Sequence, residues 1–267
     1  MDIQSSLPLA FSQIGQRETN QDALYPATDA ADEPTNLFIV CDGMGGADKG
    51  EVASQLLCAA VVAYAQSFDY PVLDAVHLQT ALDWAYGGYQ DYLNKHPLVG
   101  RMGSTLALLQ FHQRGATVAH IGDSRVYQLR DGKIIFRTKD HRQVDDMVET
   151  GIITATQALT HPWRNRLSRA VVAESGRDGN SFRATPDITL LTDIRAGDCF
   201  FLCTDGVLEQ VDDLGLALLL TSNVPGQAKI QALLAQCDGI TKDNYSGFLL
   251  TIDQVAQTEK IISDVAF

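Results

Sequence analysis

Apolar positions along the chain come in short runs separated by turn residues. Runs rich in β-branched and aromatic residues predict strands at about 9–14, 37–41, 104–111, 116–121, 125–130, 133–138, 188–192, 199–204 and 246–252. Asp131-Gly132 sits between two of them, a two-residue hairpin signal. Helical spacing appears at 49–66, with a stripe through Val52, Leu56, Ala59, Ala60 and Ala63. A second stripe, at 73–94, runs through Val76, Leu82, Trp84, Ala85 and Tyr89 and is weakened by Gly87-Gly88. Two further helices are predicted near 213–221 and 226–237. Strands and helices therefore come in blocks rather than alternating. That order predicts an α+β fold of antiparallel sheets with helices packed on their faces. Residues 141–186 are polar and broken, with short helical pieces at QVDDMVETG and TATQAL, and read as a surface subdomain inserted between strands.

With 267 residues, 45% of them hydrophobic, the chain is long enough to bury a sizeable core. Its formal net charge of −13 repels nucleic acid and anionic membrane, so neither is an expected partner. The five cysteines are odd in number, form no C-x-x-C and have no zinc spacing with histidine. Cys199 and Cys203 would face one side of a strand as small core residues. The N-terminal MDIQSSLPLAF carries an acid and no Lys or Arg, unlike a signal peptide. The longest apolar stretch, LGLALLL, falls far short of the ~20 residues of a membrane span. The expectation is a cytoplasmic monomer.

The chemistry is suggested by where the acids fall. Asp42, Asp123 and Asp205 each close an apolar run and precede a turn, whereas Asp22 and Asp243 stand where strands open. In an antiparallel pair the end of one strand lies beside the start of its partner. Pairing 22–25 with 37–42 would bring Asp22 to Asp42, and pairing 199–205 with 244–252 would bring Asp205 to Asp243. A single Asp-Gly is more often an ordinary turn; five acids abutting buried runs are harder to dismiss. If the two edges face each other, the carboxylates converge and resist ionising together. A divalent cation relieves that repulsion, and an all-oxygen ligand set selects Mg²⁺ or Mn²⁺ over Zn²⁺. So many acids suit two ions sharing ligands. The glycines after Asp42 fit neither G-x-G-x-x-G nor a Walker A loop. They read instead as places where backbone approaches a ligand closely, with a carbonyl as a further oxygen.

These residues carry a family resemblance. GQRETNQDA (15–23), VCDGMGGADKGEVAS (40–54), MGSTLALL (102–109), IGDSRVYQLRDGKI (121–134), DHRQVDDMVETGIIT (140–154), HPWRNRLSRAV (161–171), LCTDGVLEQV (202–211) and DNYSGFLL (243–250) occur in this order. The chain resembles the bacterial form of the PP2C-type metal-dependent Ser/Thr protein phosphatases over nearly its whole length. The resemblance implies one domain over 1–267: two antiparallel sheets sandwiched between pairs of antiparallel helices, with a flap at about 141–186. It implies two core Mn²⁺ or Mg²⁺ ions on Asp22, Asp42, the Gly43 carbonyl, Asp205 and Asp243, with Asp123 and Asp205 holding a third, weaker ion. Arg17 would bind the phosphate. A metal-bridging hydroxide would attack the phosphorus of phosphoserine or phosphothreonine, with no phosphoenzyme. The substrate would be a protein phosphorylated by a Ser/Thr kinase.

Departures from the family pattern are Ala47, where many members carry histidine, Gln21 where some carry an acid, and SRAVVA at 168–173 without the usual glycine. They leave the proton donor to the leaving alkoxide unassigned, with His141 and His161 as the weaker candidates beside a metal-bound water. Two rival readings remain from the sequence: a catalytically inert phosphopeptide-binding regulatory module, and a hydrolase of small phosphoesters.

Overall fold

The computed structural model describes residues 1–30, 35–44, 49–176 and 183–256. Two antiparallel sheets lie face to face. One contains β1 (Asp2–Ser5), β2 (Leu9–Gln13), β8 (Arg125–Arg130), β9 (Lys133–Arg137), β12 (Cys199–Cys203) and the long β13 (Tyr245–Ala256). The other contains β3 (Asp22–Tyr25), β4 (Leu37–Met44), β5 (Arg101–Ser104), β6 (Leu106–His112), β7 (Gly115–Ile121), β10 (Val171–Glu174) and β11 (Asp187–Leu191). Helices α1 (Gly50–Ser67) and α2 (Ala75–Lys95) cover the second sheet, while α6 (Asp213–Leu220) and α7 (Gly226–Cys237) cover the first. Between them in the chain lie the short α3 (Gln143–Glu149), α4 (Ala155–Leu159) and α5 (Asp205–Leu208).

The continuous apolar runs follow from this layering. A strand covered on both faces has no solvent side, so it shows no polar alternation. Along β4, Leu37, Ile39 and Cys41 point into the core under α1 and α2, while Phe38 and Val40 point into the core between the sheets. Along β12, Cys199, Phe201 and Cys203 face α6 and α7, while Phe200 and Leu202 face the opposite sheet. Both cysteines are thus small core residues, and all five are free and buried. The inter-sheet core is fastened by edge-to-face rings, Phe38 on Phe248 and Phe111 on Phe200. The hairpin between β8 and β9 turns on Asp131 and Gly132, both at positive φ, as a two-residue turn of this type requires.

Several expectations need correction. β4 does not stop at Asp42: it runs on through Gly43 and Met44, which pair with Ser104 and Gly103 of β5. The predicted strand at 104–111 is two strands, broken at Thr105. The α1 stripe is misplaced: Ala59 and Ala63 are exposed, and the buried face is Ala53, Leu57, Cys58, Val61, Tyr64 and Ala65. A helix this rich in alanine and leucine offers little contrast from which to read a face. In α2, Leu82, Ala85 and Tyr89 are buried as expected, but Val76 and Trp84 are exposed. The polar stretch 141–186 also contributes β10, which pairs along β5 and extends the second sheet.

Phe200 is fully buried between the sheets. Phe200→Ala is expected to cost about 3–5 kcal/mol of folding free energy, read from urea unfolding, with the upper end applying if the site does not collapse.

Candidate metal centre

The sandwich brings separate strand ends to one rim. Asp22 and Asp42 are direct cross-strand partners in the β3–β4 hairpin. On the other sheet, β12 pairs with β13 up to Cys203 opposite Gly247, so Asp205 and Asp243 follow at the same end. Asp123 lies in the turn between β7 and β8, where Gly122 adopts φ 103° and a Cβ would stand 2.6 Å from Thr105. A cavity of about 590 Å³ opens here, lined by Arg17, Asp42, Gly43, Asp123, Asp205 and Asp243 among others. Asp22 lies just behind that lining, close enough to Asp205 and Asp243 for their charges to be felt.

Hydrogen bonds lock the two sheets together at this rim. The Thr204 hydroxyl donates to Asp22 Oδ2 at 3.0 Å. Asn244 is almost wholly buried: its Oδ1 accepts from the Gln21 N–H at 2.8 Å, and its Nδ2 donates to the carbonyls of Ile14 and Thr19. The Asp42 backbone exchanges bonds with Thr105, whose hydroxyl meets Ser124 at 2.7 Å. The Ser54 hydroxyl, from α1, donates to the Gln21 carbonyl at 2.6 Å. Sequence reading missed this scaffold of Thr105, Thr204, Asn244 and Ser54. Its one available signal was the neighbourhood of Thr204 and Asn244 to the acids.

Gly43 is required for a reason the sequence did not suggest. A Cβ there would come 2.0 Å from the Gly50 carbonyl oxygen, so the strand and the start of α1 touch backbone to backbone. Gly206, beside Asp205, is likewise pressed onto the Asn244 carbonyl, at 2.1 Å from where a Cβ would sit. Gly45, Gly46 and Ala47 lie outside the described residues.

Burial and crowding make Asp22, Asp42, Asp123 and Asp205 reluctant to ionise. Burial first, then neighbouring acids, push Asp22 up to about 7 and Asp205 up to about 6. The same causes push Asp123 up to about 8 and hold Asp42 well above the usual range. Two oxygens, Asp22 Oδ1 and Asp205 Oδ1, are buried without a hydrogen-bond partner among the described residues. Orphaned buried carboxylate oxygens are costly, and here they sit among other hard oxygen donors. Such a donor set fits Mg²⁺ or Mn²⁺. Arg17 reaches the same rim and holds Asp243 with a two-pronged contact, Nε at 2.9 Å and Nη2 at 2.6 Å.

A second group with metal-ligand chemistry comprises His120, His141 and Asp187, whose ligand atoms lie within 4.8 Å of one another. Its atoms are already engaged. His141 Nδ1 accepts from the Gly122 N–H, its Nε2 faces Asp187, and Arg169 pairs with the other Asp187 oxygen. His120 Nε2 faces the Lys139 carbonyl. His141 therefore braces the turn that carries Asp123 and has no nitrogen left for proton transfer at the rim. His161 Nδ1 accepts from the Trp163 N–H, and its ring meets the Trp163 indole within the 141–186 segment.

Comparison with known proteins gives the arrangement a context. A family model described as protein phosphatase 2C matches residues 11–240. The serine/threonine protein phosphatase PstP of Mycobacterium tuberculosis is 34% identical over 198 residues, 74% of this chain and 35% of that protein. The chain thus spans about a third of the length of the first curated relatives it matches. A crystal structure of the M. tuberculosis phosphatase PstP/Ppp aligns over 92% of this chain and 98% of its own, at 30% identity and a TM-score of 0.77. A structure of the PstP catalytic domain in complex with two manganese ions aligns over 92% of this chain and 98% of its own, at 29% identity and a TM-score of 0.69. Since the family model runs from within β2 almost to β13 and the solved folds superpose over nine-tenths of the chain, this protein belongs to the protein phosphatase 2C family.

Proposed function

We propose that this chain is a metal-dependent protein phosphatase that hydrolyses phosphoserine and phosphothreonine. One observation carries the reading: five carboxylates, Asp22, Asp42, Asp123, Asp205 and Asp243, crowd one rim, two of them with buried oxygens that no group among the described residues satisfies. Asp22, Asp42, the Gly43 carbonyl, Asp205 and Asp243 would hold two Mn²⁺ or Mg²⁺ ions, and Asp123 with Asp205 a third, weaker one. Bound there, the ions supply an activated water and a positive clamp for phosphoryl oxygens. The manganese-bound relative supports this assignment.

The chain's own groups do the rest. Arg17 already takes two carboxylate oxygens with its guanidinium fork, and the same geometry suits two phosphate oxygens. Thr204 holds the Asp22 carboxylate, Thr105 the Asp42 backbone, and Asn244 the Gln21 backbone beside Asp22. A cysteine nucleophile is excluded on physical grounds: Cys41, next to Asp42, is fully buried, and burial drives its thiol well above its ordinary range. We read 1–267 as one phosphatase unit with 141–186 as its flap, acting as a cytoplasmic monomer on proteins phosphorylated by a Ser/Thr kinase. Among the described residues no helix is long and apolar enough to cross a membrane.

Hydrolysis of phosphothreonine peptides should require Mn²⁺ or Mg²⁺ and vanish in EDTA. Asp205→Ala should lower kcat/KM by more than the ~10–100-fold that loss of an outer-shell partner costs; activity unchanged by chelation would refute the assignment. Arg17→Ala should raise KM for phosphopeptides more than it lowers kcat, as measured by steady-state kinetics.

Asp22, Asp123 and Asp205 also set a pH dependence of stability. Their folded pKa values lie above the ~4 of an unfolded chain. Their favourable contribution is therefore complete below about pH 4 and is lost as pH rises through about 6 to 8. In EDTA, Tm should be lower at pH 8 than at pH 5, and the gain in Tm on adding Mn²⁺ should be larger at pH 8. Calorimetry showing no manganese shift at either pH would contradict the site.

A further inference from the structure

A second and larger cavity, about 780 Å³, lies alongside the carboxylate rim and shares Met44, Asn165 and Leu167 with it. Its floor comes from β5, β10 and α2, and its outer wall is the 165–170 segment. The charge balance here is opposite to that of the whole chain. The chain has 20 Lys and Arg against 33 Asp and Glu. This cavity is lined by Arg101, Arg166, Arg169 and Arg183 against Asp83 and Glu174.

The four arginines are not equally committed. Arg183 pairs with Asp83 and lies over the Tyr86 ring, and Arg169 pairs with Asp187. Arg101 stands 3.8 Å from Glu174, at the outer limit of an ion pair. Arg166 is exposed, rests on the Trp163 ring at 5.6 Å and has no carboxylate partner among the described residues. Its guanidinium rests on that ring, and no described residue takes up its donors. Apolar side chains between the arginines, Val172 and Ala184 among them, offer contact to a peptide's stems.

We propose that this groove docks an acidic segment of the substrate protein, next in sequence to the phosphorylated residue. The inference rests on the phosphatase reading above and adds a substrate class to it. A chain of net charge −13 repels acidic protein over most of its surface. A local basic wall beside the rim would select acidic partners and orient them toward it.

The test uses phosphothreonine peptides flanked on one side by four glutamates or by four lysines, with each flank tried N-terminal and C-terminal. With Mn²⁺, kcat/KM should favour the glutamate peptide by about tenfold in at least one orientation, mostly through KM. The preference should shrink as salt is raised. Arg166→Glu, and Arg166→Glu combined with Arg101→Glu, should remove or reverse it; both side chains are exposed, and circular dichroism checks the fold. Hydrolysis of all peptides at equal kcat/KM would overturn the groove and leave the phosphatase reading standing. If no peptide is hydrolysed with metal present, the phosphatase reading fails. Fluorescence anisotropy of labelled peptides then decides the groove alone: acidic peptides bound more tightly by wild type than by Arg166→Glu support it, and equal binding overturns it.

Discussion

The structure depends on holding mutually repelling carboxylates at one rim. Apart from the Arg17 fork on Asp243 and the hydrogen bonds around Asp22 and Asp42, little at the rim favours that arrangement: Asp22, Asp42, Asp123 and Asp205 are pushed upward in pKa, and two oxygens lack partners among the described residues. The stabilisation comes from elsewhere, from three apolar layers stacked helix on sheet, sheet on sheet and sheet on helix. The rim is where these layers end. Sheet register fixes which residues arrive there, because a slip of one residue would turn every side chain to the opposite face. Asp22 opposite Asp42 is therefore as much a statement about the cores beneath β3 and β4 as about the acids.

Much of this was legible from the sequence, because the strands stand out as apolar runs bounded by turn residues, with acids at their ends. The hairpin at Asp131-Gly132, the helices at 213–220 and 226–237, and both carboxylate pairings follow from local chemistry. What could not be read has a physical reason in each case. The buried face of α1 was hidden because alanine fits either side of a helix. β10 was hidden because its four residues make sense as a strand only once β5 lies beside them. Asn244 and Thr204 carry no pattern, and their importance appears only when the Gln21 backbone and Asp22 arrive from the far end of the chain.

The glycines show the same limit from another side. The sequence marks Gly43 as a place of close approach but not to what. In the fold, the approach is to the Gly50 carbonyl, so α1 begins in contact with the strand that carries Asp42. The helix start and the acid are thus one rigid piece, and Ser54 ties that piece to Gln21. The described donors at the rim are held by backbone packing and hydrogen bonds, which lowers the entropy lost when they bind a ligand.

The basic wall and the rim are not independent. His141 donates its backbone N–H to the Gly122 carbonyl and accepts from the Gly122 N–H on its ring, so it grips the turn that carries Asp123. The carbonyl of the same residue accepts from Ser168, and the neighbouring Gln143 donates to the Arg166 carbonyl. The arginine-bearing segment therefore hangs from the residue that braces Asp123. A displacement of that segment large enough to break these bonds would loosen Asp123 as well. In this chain, the segment proposed to meet a flanking sequence is built as an extension of the element that positions Asp123, which would couple the choice of substrate to the geometry of the rim.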